Sequence, residues 1–324
     1  MEITDETIKL ASIGIGLSKN WNKYKTELDN KYPEYKDAQI IPFSKNNGTK
    51  RPAGYVIVPK DGPAMVCYHG TKFGELSDGG SREIYHDLQT QPTAMKFGNQ
   101  EHQVHTGFKV EYEASKENLY EILNAIDPPR EVLFSGHSLG GAVATIAALD
   151  AATNKQIQVG GLVTCGAPPT LSPGAANLYH ETGLSEKTFR MEQIFDPFPR
   201  LLKSTYEHVG KRIKLHAGSL KVHGSNVYNA MAKKITDETI KEAKPSRAMK
   251  RAELLAGSDI DSNIKRASSL ELYYEAIKEL PSQIFYSAVK QVNRMRGVLS
   301  KNSAEPNSPR SPGPKSNSKS RSFY

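Results

Sequence analysis

The run from Glu131 to Ala152 limits what this chain can fold into more than any other stretch. It reads EVLFS over Glu131 to Ser135, then Gly136, His137, Ser138, Leu139, Gly140 and Gly141, then AVATIAALDAA up to Ala152. The first piece is short and β-prone and the last is a strong helix former, so the pattern is strand, G-x-S-x-G, helix. A serine at the centre of that pattern sits on a sharp, strained turn. Side chains two residues to either side would collide with neighbouring backbone, which accounts for Gly136 and Gly140. The turn, which also contains His137, lifts the Ser138 hydroxyl clear of the sheet and aims it at the helix N-terminus. The unpaired N–H groups there, that of Leu139 among them, favour a developing oxyanion. Ser138 is the candidate nucleophile.

A hydroxyl near neutral pH needs a base, and in a strand-turn-helix hydrolase the partners follow in the order Ser, acid, His. Of nine histidines, only His208, His216 and His223 come after both Ser138 and a plausible acid. Asp150 belongs to the helix that leaves the turn and points away from the carboxyl edge of the sheet. Asp196 is better placed. It follows a strand-like run, Thr188 to Phe195, and opens Asp196-Pro197-Phe198-Pro199, where two prolines stiffen a loop. Neither His105 nor Asp87 has a second ligand at zinc-like spacing, so no metal is expected and no cofactor is called for.

With these residues in place the chain resembles the class 3 (fungal-type) lipase family of the α/β-hydrolase superfamily, over about residues 50–230. Tyr68-His69-Gly70-Thr71 is similar to that family's Arg-Gly-Thr strand end, with His69 where the family has Arg. Val104 to Phe108 is similar to its His-x-Gly-Phe element, and Thr164 to Pro168 to its Thr-Phe-Gly-Ala-Pro. Asp196 to Pro199 is similar to Asp-Pro-Val-Pro around the acid, Tyr206 to Gly210 to a structural His-Val-Gly hairpin, and His223 with Tyr228 to the terminal histidine segment. The resemblance implies an α/β-hydrolase fold, with a mostly parallel central sheet flanked by helices. It also implies Asp196 as acid, His223 as base, His208 as structural, and an oxyanion site shared by Thr71 and the Leu139 N–H. The implied reaction is hydrolysis of a carboxylic ester in a lipid through an acyl-enzyme.

Charge divides the chain. Residues 1–232 carry 25 Lys+Arg against 25 Asp+Glu, whereas residues 233–324 carry 18 against 10 and hold the whole net charge of +8. That segment reads as a polar helix from Ala232 to Arg266. An amphipathic stretch follows, with Leu270, Tyr273, Ile277, Leu280, Ile284, Ala288, Val292, Met295 and Leu299 at spacings of three and four, interrupted by Pro281. From Ser300 to Tyr324, 17 of 25 residues are Ser, Pro, Lys or Arg, a composition that favours disorder. The expected organisation is a helical segment 1–49, a hydrolase domain 50–232, a basic helical extension 233–299 and a disordered tail 300–324. An amphipathic stripe of this kind usually packs on its own protein, and a basic one can instead lie on an anionic membrane, so peripheral membrane contact is expected beside self-packing, along with phospholipase A action on anionic glycerophospholipids as an alternative substrate class. Without an aromatic-interleaved basic motif, nucleic acid is not an expected partner.

No apolar run reaches the roughly 18 residues of a membrane span. The opening Met1-Glu2-Ile3-Thr4-Asp5-Glu6 lacks the basic stretch that precedes a secretory signal's apolar core. Cys67 and Cys165 sit in strand-like apolar runs and read as small buried hydrophobes. A cytoplasmic or peripheral-membrane location is therefore expected, and signal-independent delivery as an effector is a further reading. A non-catalytic lipase-like binding protein is the alternative of another class, disfavoured by the intact Ser138, Asp196 and downstream histidine. One repeat stands apart: Ile3 to Lys9 and Ile235 to Lys241 both read ITDETIK. Thr4 and Thr236 suit helix N-caps and the acidic pairs suit the positive helix start, which accounts for two helix starts but not for seven shared identities.

Overall fold

A parallel sheet covered on both faces buries its strands along their whole length, and four strands in the middle of the chain are buried in this way. In the computed structural model, which describes residues 2–17, 20–46, 52–70, 91–154, 157–203, 205–216 and 223–256, β3 (Ala64–Tyr68), β6 (Val132–His137), β7 (Val159–Cys165) and β8 (Thr188–Gln193) are buried at every position. They pair in parallel in that order and continue in parallel to β9 (Lys211–Leu215). An antiparallel pair, β1 (Gln39–Phe43) and β2 (Gly54–Val58), extends the sheet beyond β3, and the short antiparallel β10 (Lys244–Pro245) closes it beyond β9, giving eight strands. A separate hairpin is formed by β4 (Pro92–Phe97) and β5 (Gln100–His105).

Side chains alternate across the sheet, so the strands feed two cores. Val66, Tyr68, Val132, Phe134 and Leu162 pack on one face beneath α3 (Thr106–Asn124), α4 (Leu139–Asn154) and α5 (Pro173–Glu181). Met65, Cys67, Leu133, Val163, Cys165 and Met191 pack on the other beneath α1 (Asp5–Leu17), α2 (Trp21–Lys31) and α6 (Ser225–Ala232). Cys67 and Cys165 are free and buried as expected, and burial pushes the Cys67 thiol up to about 12. Among the described residues no helix is long and apolar enough to cross a membrane.

The structure revises the expected organisation in three places. All five residues of β1, from the segment expected to be helical, pair with β2, so the division at 49/50 cuts through a hydrogen-bonded hairpin. Likewise β10, from the expected extension, pairs with β9, so the division at 232/233 severs an edge strand from the sheet. The single polar helix expected from Ala232 to Arg266 is replaced by α7 (Asp237–Lys241), β10 and α8 (Arg247–Ala256). Thr236 caps a new helix start, and Pro245, with no N–H to donate, cannot sit within a helix. The amphipathic stretch from Leu270 and the tail 300–324 lie outside the described residues.

The ITDETIK repeat acquires a physical account. Thr4 and Thr7 exchange N–H to hydroxyl bonds at 3.3 Å each, and Thr236 and Thr239 do the same at 3.3 and 3.4 Å. The fifth shared residue, which reciprocates each cap, is thus a threonine in the role usually given to Glu or Gln. Ile3 and Ile8, like Ile235 and Ile240, hold the positions of a hydrophobic staple and join the same core. Lys9 closes the first copy by bonding Asp5 and Glu6 at 2.8 Å each. Six of the seven residues serve one helix start in both copies, and in the first copy the lysine serves it as well.

Candidate active site

The turn between β6 and α4 is built as its glycines require. Ser138 adopts φ 57°, in the left-handed region that a non-glycine residue enters only at a strain of about 1–3 kcal/mol. A Cβ on Gly136 would stand 2.3 Å from the Gly140 carbonyl oxygen, and one on Gly140 would stand 2.6 Å from the His69 carbonyl oxygen at the end of β3. Backbone occupies both places, so neither residue tolerates a side chain. The Ser138 N–H donates to the Cys165 carbonyl at 2.9 Å, tying the turn to β7. Leu139 is the first residue of α4, a position whose N–H has no acceptor within its own helix and faces the positive end of 16 residues of aligned peptide dipoles.

Ser138 is 4% exposed, and its hydroxyl lies 2.8 Å from His223 Nε2. The other ring nitrogen, Nδ1, lies 2.7 Å from Asp196 Oδ2. Residues separated by 85 positions in sequence thus meet in one hydrogen-bonded chain, with the acid 1% exposed at its inner end. Such an arrangement lets the imidazole take the hydroxyl proton on Nε2 while the carboxylate holds the Nδ1–H tautomer and balances the imidazolium.

Four residues whose roles the sequence does not announce hold this chain in place. Tyr228, on α6, donates its hydroxyl to Asp196 Oδ2 at 2.6 Å and accepts the Gln193 N–H at 3.1 Å. Burial and the neighbouring Asp196 carboxylate push the Tyr228 phenol well above its ordinary value, so it stays protonated as a donor. The Phe198 N–H donates to Asp196 Oδ1 at 3.0 Å, and the Phe198 ring stacks on the His223 ring with centroids 3.7 Å apart. His137 Nε2 donates to the His223 carbonyl at 2.6 Å, so the residue beside the serine also fixes the backbone of the histidine. Gly166, at φ 61°, passes so close that a Cβ would stand 2.8 Å from Asp196 Oδ2 and 2.9 Å from the Tyr228 ring. Tyr228 follows His223 by five residues, and in the sequence only that proximity and the resemblance of the His223 segment point to it.

The rival histidines are placed elsewhere. His208 Nε2 donates to the Pro199 carbonyl at 2.6 Å and stands 4.0 Å from Glu192, itself paired with Arg190. Burial, and then the charges of Arg190 and Lys203, push its pKa well below the ordinary value, so this imidazole stays neutral. His216 is exposed against the edge of Phe195. His105 is buried and stacked on Phe108 at 4.2 Å. Asp150 is buried in α4, bonded to Tyr112 at 2.6 Å and paired with Lys116 at 2.8 Å. Thr71 and Asp87 lie outside the described residues, although the chain reaches the turn at Gly70, where a Cβ would stand 2.6 Å from the His137 carbonyl oxygen. Among the described residues no group of three or more His, Cys, Asp or Glu could hold a metal ion.

Residues 77–206 match the family model of lipase (class 3). Those 130 residues, less than half of the chain, are similar to the class 3 lipases. The matched span contains Ser138 and Asp196 and stops short of His223. Two solved structures share the α/β-hydrolase fold of these lipases. Lipase II from Rhizopus niveus is 22% identical, with 65% of this chain and 80% of that one covered at a TM-score of 0.51. The lipase from Rhizopus microsporus var. chinensis is 18% identical, with 68% and 76% covered at a TM-score of 0.52. No curated protein sequence matches the chain. At these identities the shared property is the fold, a mostly parallel sheet with flanking helices.

Proposed function

We propose that this protein is a serine hydrolase that cleaves a carboxylic ester of a lipid. The observation that carries the reading is the continuous chain from the Ser138 hydroxyl through His223 to Asp196, at 2.8 and 2.7 Å, ending on a serine held in a strained turn at a helix N-terminus. His223 Nε2 removes the hydroxyl proton as Ser138 Oγ attacks the acyl carbonyl. The tetrahedral oxyanion forms against the Leu139 N–H and the positive end of α4, with Thr71 as the second donor that the family resemblance suggests. The same nitrogen returns the proton to the departing alcohol. Water, deprotonated in turn by His223, then releases the fatty acid.

Labelling with a fluorophosphonate, which esterifies only an activated serine, tests the reading together with release of fatty acid from an emulsified triacylglycerol. Modification confined to Ser138, and absent from Ser138→Ala, is expected. Labelling of another serine, or none in protein that retains esterase activity, would overturn it.

The charge of residues 233–324 favours a second substrate class, anionic glycerophospholipids, through contact with an anionic membrane. Phosphatidylglycerol vesicles and triacylglycerol emulsions with matched acyl chains separate the two by the ratio of released fatty acid. A cytoplasmic or membrane-peripheral location goes with either substrate.

A further inference from the structure

The chain contains one tryptophan, and it faces solvent. Trp21 is the first residue of α2 and is 42% exposed. Its neighbours Asn20, Asn22 and Lys23 are exposed as well. Two ring contacts lead inward from it. Trp21 meets Tyr55 of β2 in an edge contact at 5.7 Å, and Tyr55 meets His69 in another at 4.8 Å. The His69 carbonyl is the backbone against which Gly140 packs. Because β3 runs parallel to β6, His69 and Ser138 leave the sheet at the same carboxyl edge. A line of three rings therefore runs from solvent to the turn that carries the nucleophile.

Single exposed hydrophobic residues are common and usually call for no explanation. This one differs in being joined, ring to ring, to a site that must meet its ester in a lipid aggregate. We propose that Trp21 is an interfacial anchor. Its indole beds into the headgroup zone of a lipid–water surface, with Asn20, Asn22 and Lys23 around it, and seats the mouth of the site against that surface. An indole combines a large apolar face with one N–H donor, which suits the boundary where headgroups give way to acyl chains. The amides and the ammonium can bond phosphate and ester oxygens there. The Lys23 ammonium stands over the Tyr24 ring at 5.1 Å. This surface lies on the body of the protein and does not depend on residues 257–324. The inference rests on the lipid-ester reading above.

Since Trp21 is the only tryptophan, intrinsic emission reports this one position. Full-length Ser138→Ala protein, which leaves the lipid intact, is titrated with phosphatidylcholine vesicles and with the same vesicles carrying brominated acyl chains. Zwitterionic lipid removes the electrostatic pull of the basic segment. A blue shift of the emission is expected, with quenching by the brominated chains. In otherwise active enzyme, Trp21→Ala should lower the ratio of vesicle to soluble-ester hydrolysis by on the order of tenfold, since about half an indole's surface no longer leaves water. Trp21→Tyr, which keeps an amphipathic ring, should recover most of it.

Vesicle binding with unchanged emission, absence of binding, or an unchanged hydrolysis ratio in Trp21→Ala each overturns the anchor. Fluorophosphonate labelling and soluble-ester turnover, read on the same preparations, tell this failure apart from the other. If Ser138 is inert to both, the hydrolase reading fails. If Ser138 reacts and the tryptophan is unmoved, only the anchor fails.

Discussion

Replacing Tyr228 with phenylalanine removes a single oxygen and tests how the acid is held. That hydroxyl donates to Asp196 Oδ2 at 2.6 Å and accepts the Gln193 N–H at 3.1 Å, both in buried surroundings. A hydrogen bond to a charged acceptor contributes about 1.5–3 kcal/mol and an orphaned buried donor costs about 1–3 kcal/mol, so a net loss of about 2–4 kcal/mol of folding stability is expected. Catalysis should suffer less than the fold. Asp196 keeps the Phe198 N–H at 3.0 Å and the His223 ring at 2.7 Å, so the imidazole tautomer and its aim at Ser138 persist. Loss of one donor among three, at about 1.4 kcal/mol of transition-state stabilisation, lowers kcat about tenfold with KM unchanged. Asp196→Asn, which destroys tautomer control, should cost on the order of 10⁴-fold. Urea unfolding gives the stability, and turnover of a short p-nitrophenyl ester gives the rate. Wild-type stability and rate in Tyr228→Phe would show that the hydroxyl does not support the acid. A rate loss as deep as that of Asp196→Asn would place Tyr228 in the reacting chain itself.

Ser138→Ala should abolish p-nitrophenyl ester hydrolysis, by up to about 10⁶-fold, and adding His223→Ala or Asp196→Asn should deepen the loss little, because the three act as a unit. Residual activity above a tenth of wild type in pure protein would remove Ser138 from the mechanism. His208→Phe should leave the rate nearly unchanged while altering acid sensitivity. The folded pKa of His208 is depressed, so only the unfolded chain takes up its proton as pH falls below about 6.5, and stability is lost on that side. Urea midpoints between pH 7 and pH 5 should therefore fall less in the variant than in the wild type, and equal slopes would refute the assignment. Residues 257–324 carry 11 Lys+Arg against 6 Asp+Glu. Full-length Ser138→Ala protein should co-sediment with anionic vesicles and detach as salt rises past roughly 0.15 M, whereas protein ending at Ala256 should bind less. Equal, salt-independent partitioning of both would exclude electrostatic recruitment. The cut belongs at 256, since one at 232 would strip β10 from β9 and remove Arg251 from its pairing with Glu207 at 2.8 Å.

What the sequence determined by itself is the local chemistry of the turn and the order of its partners. The run through Ser138 shows strand, glycine-flanked serine and helix because each of those states has a short-range cause: β-prone residues, backbone that admits no Cβ, and helix formers. Asp196 is legible for the same reason, as an aspartate between a strand-like run and two prolines. The strands that hold Cys67 and Cys165 are legible as mostly apolar runs, which a sheet covered on both faces buries, whereas β8, with Arg190, Glu192 and Gln193, reads only as strand-like. Residues alone leave His208, His216 and His223 open, because which imidazole reaches a hydroxyl 85 positions away depends on how β9 and α6 return to the sheet edge. Tertiary structure decides it by burying His208 among Arg190, Glu192 and Lys203 and by laying Phe198 flat on His223. Tertiary structure alone reveals the Tyr228 hydroxyl on Asp196 and the line of rings behind Trp21, since both join residues whose spacing carries no periodic signal. The domain divisions expected near 49 and 232 fail for a related reason. Composition changes there, but strand pairing is non-local, and β1 and β10 find their partners across those changes to complete the sheet.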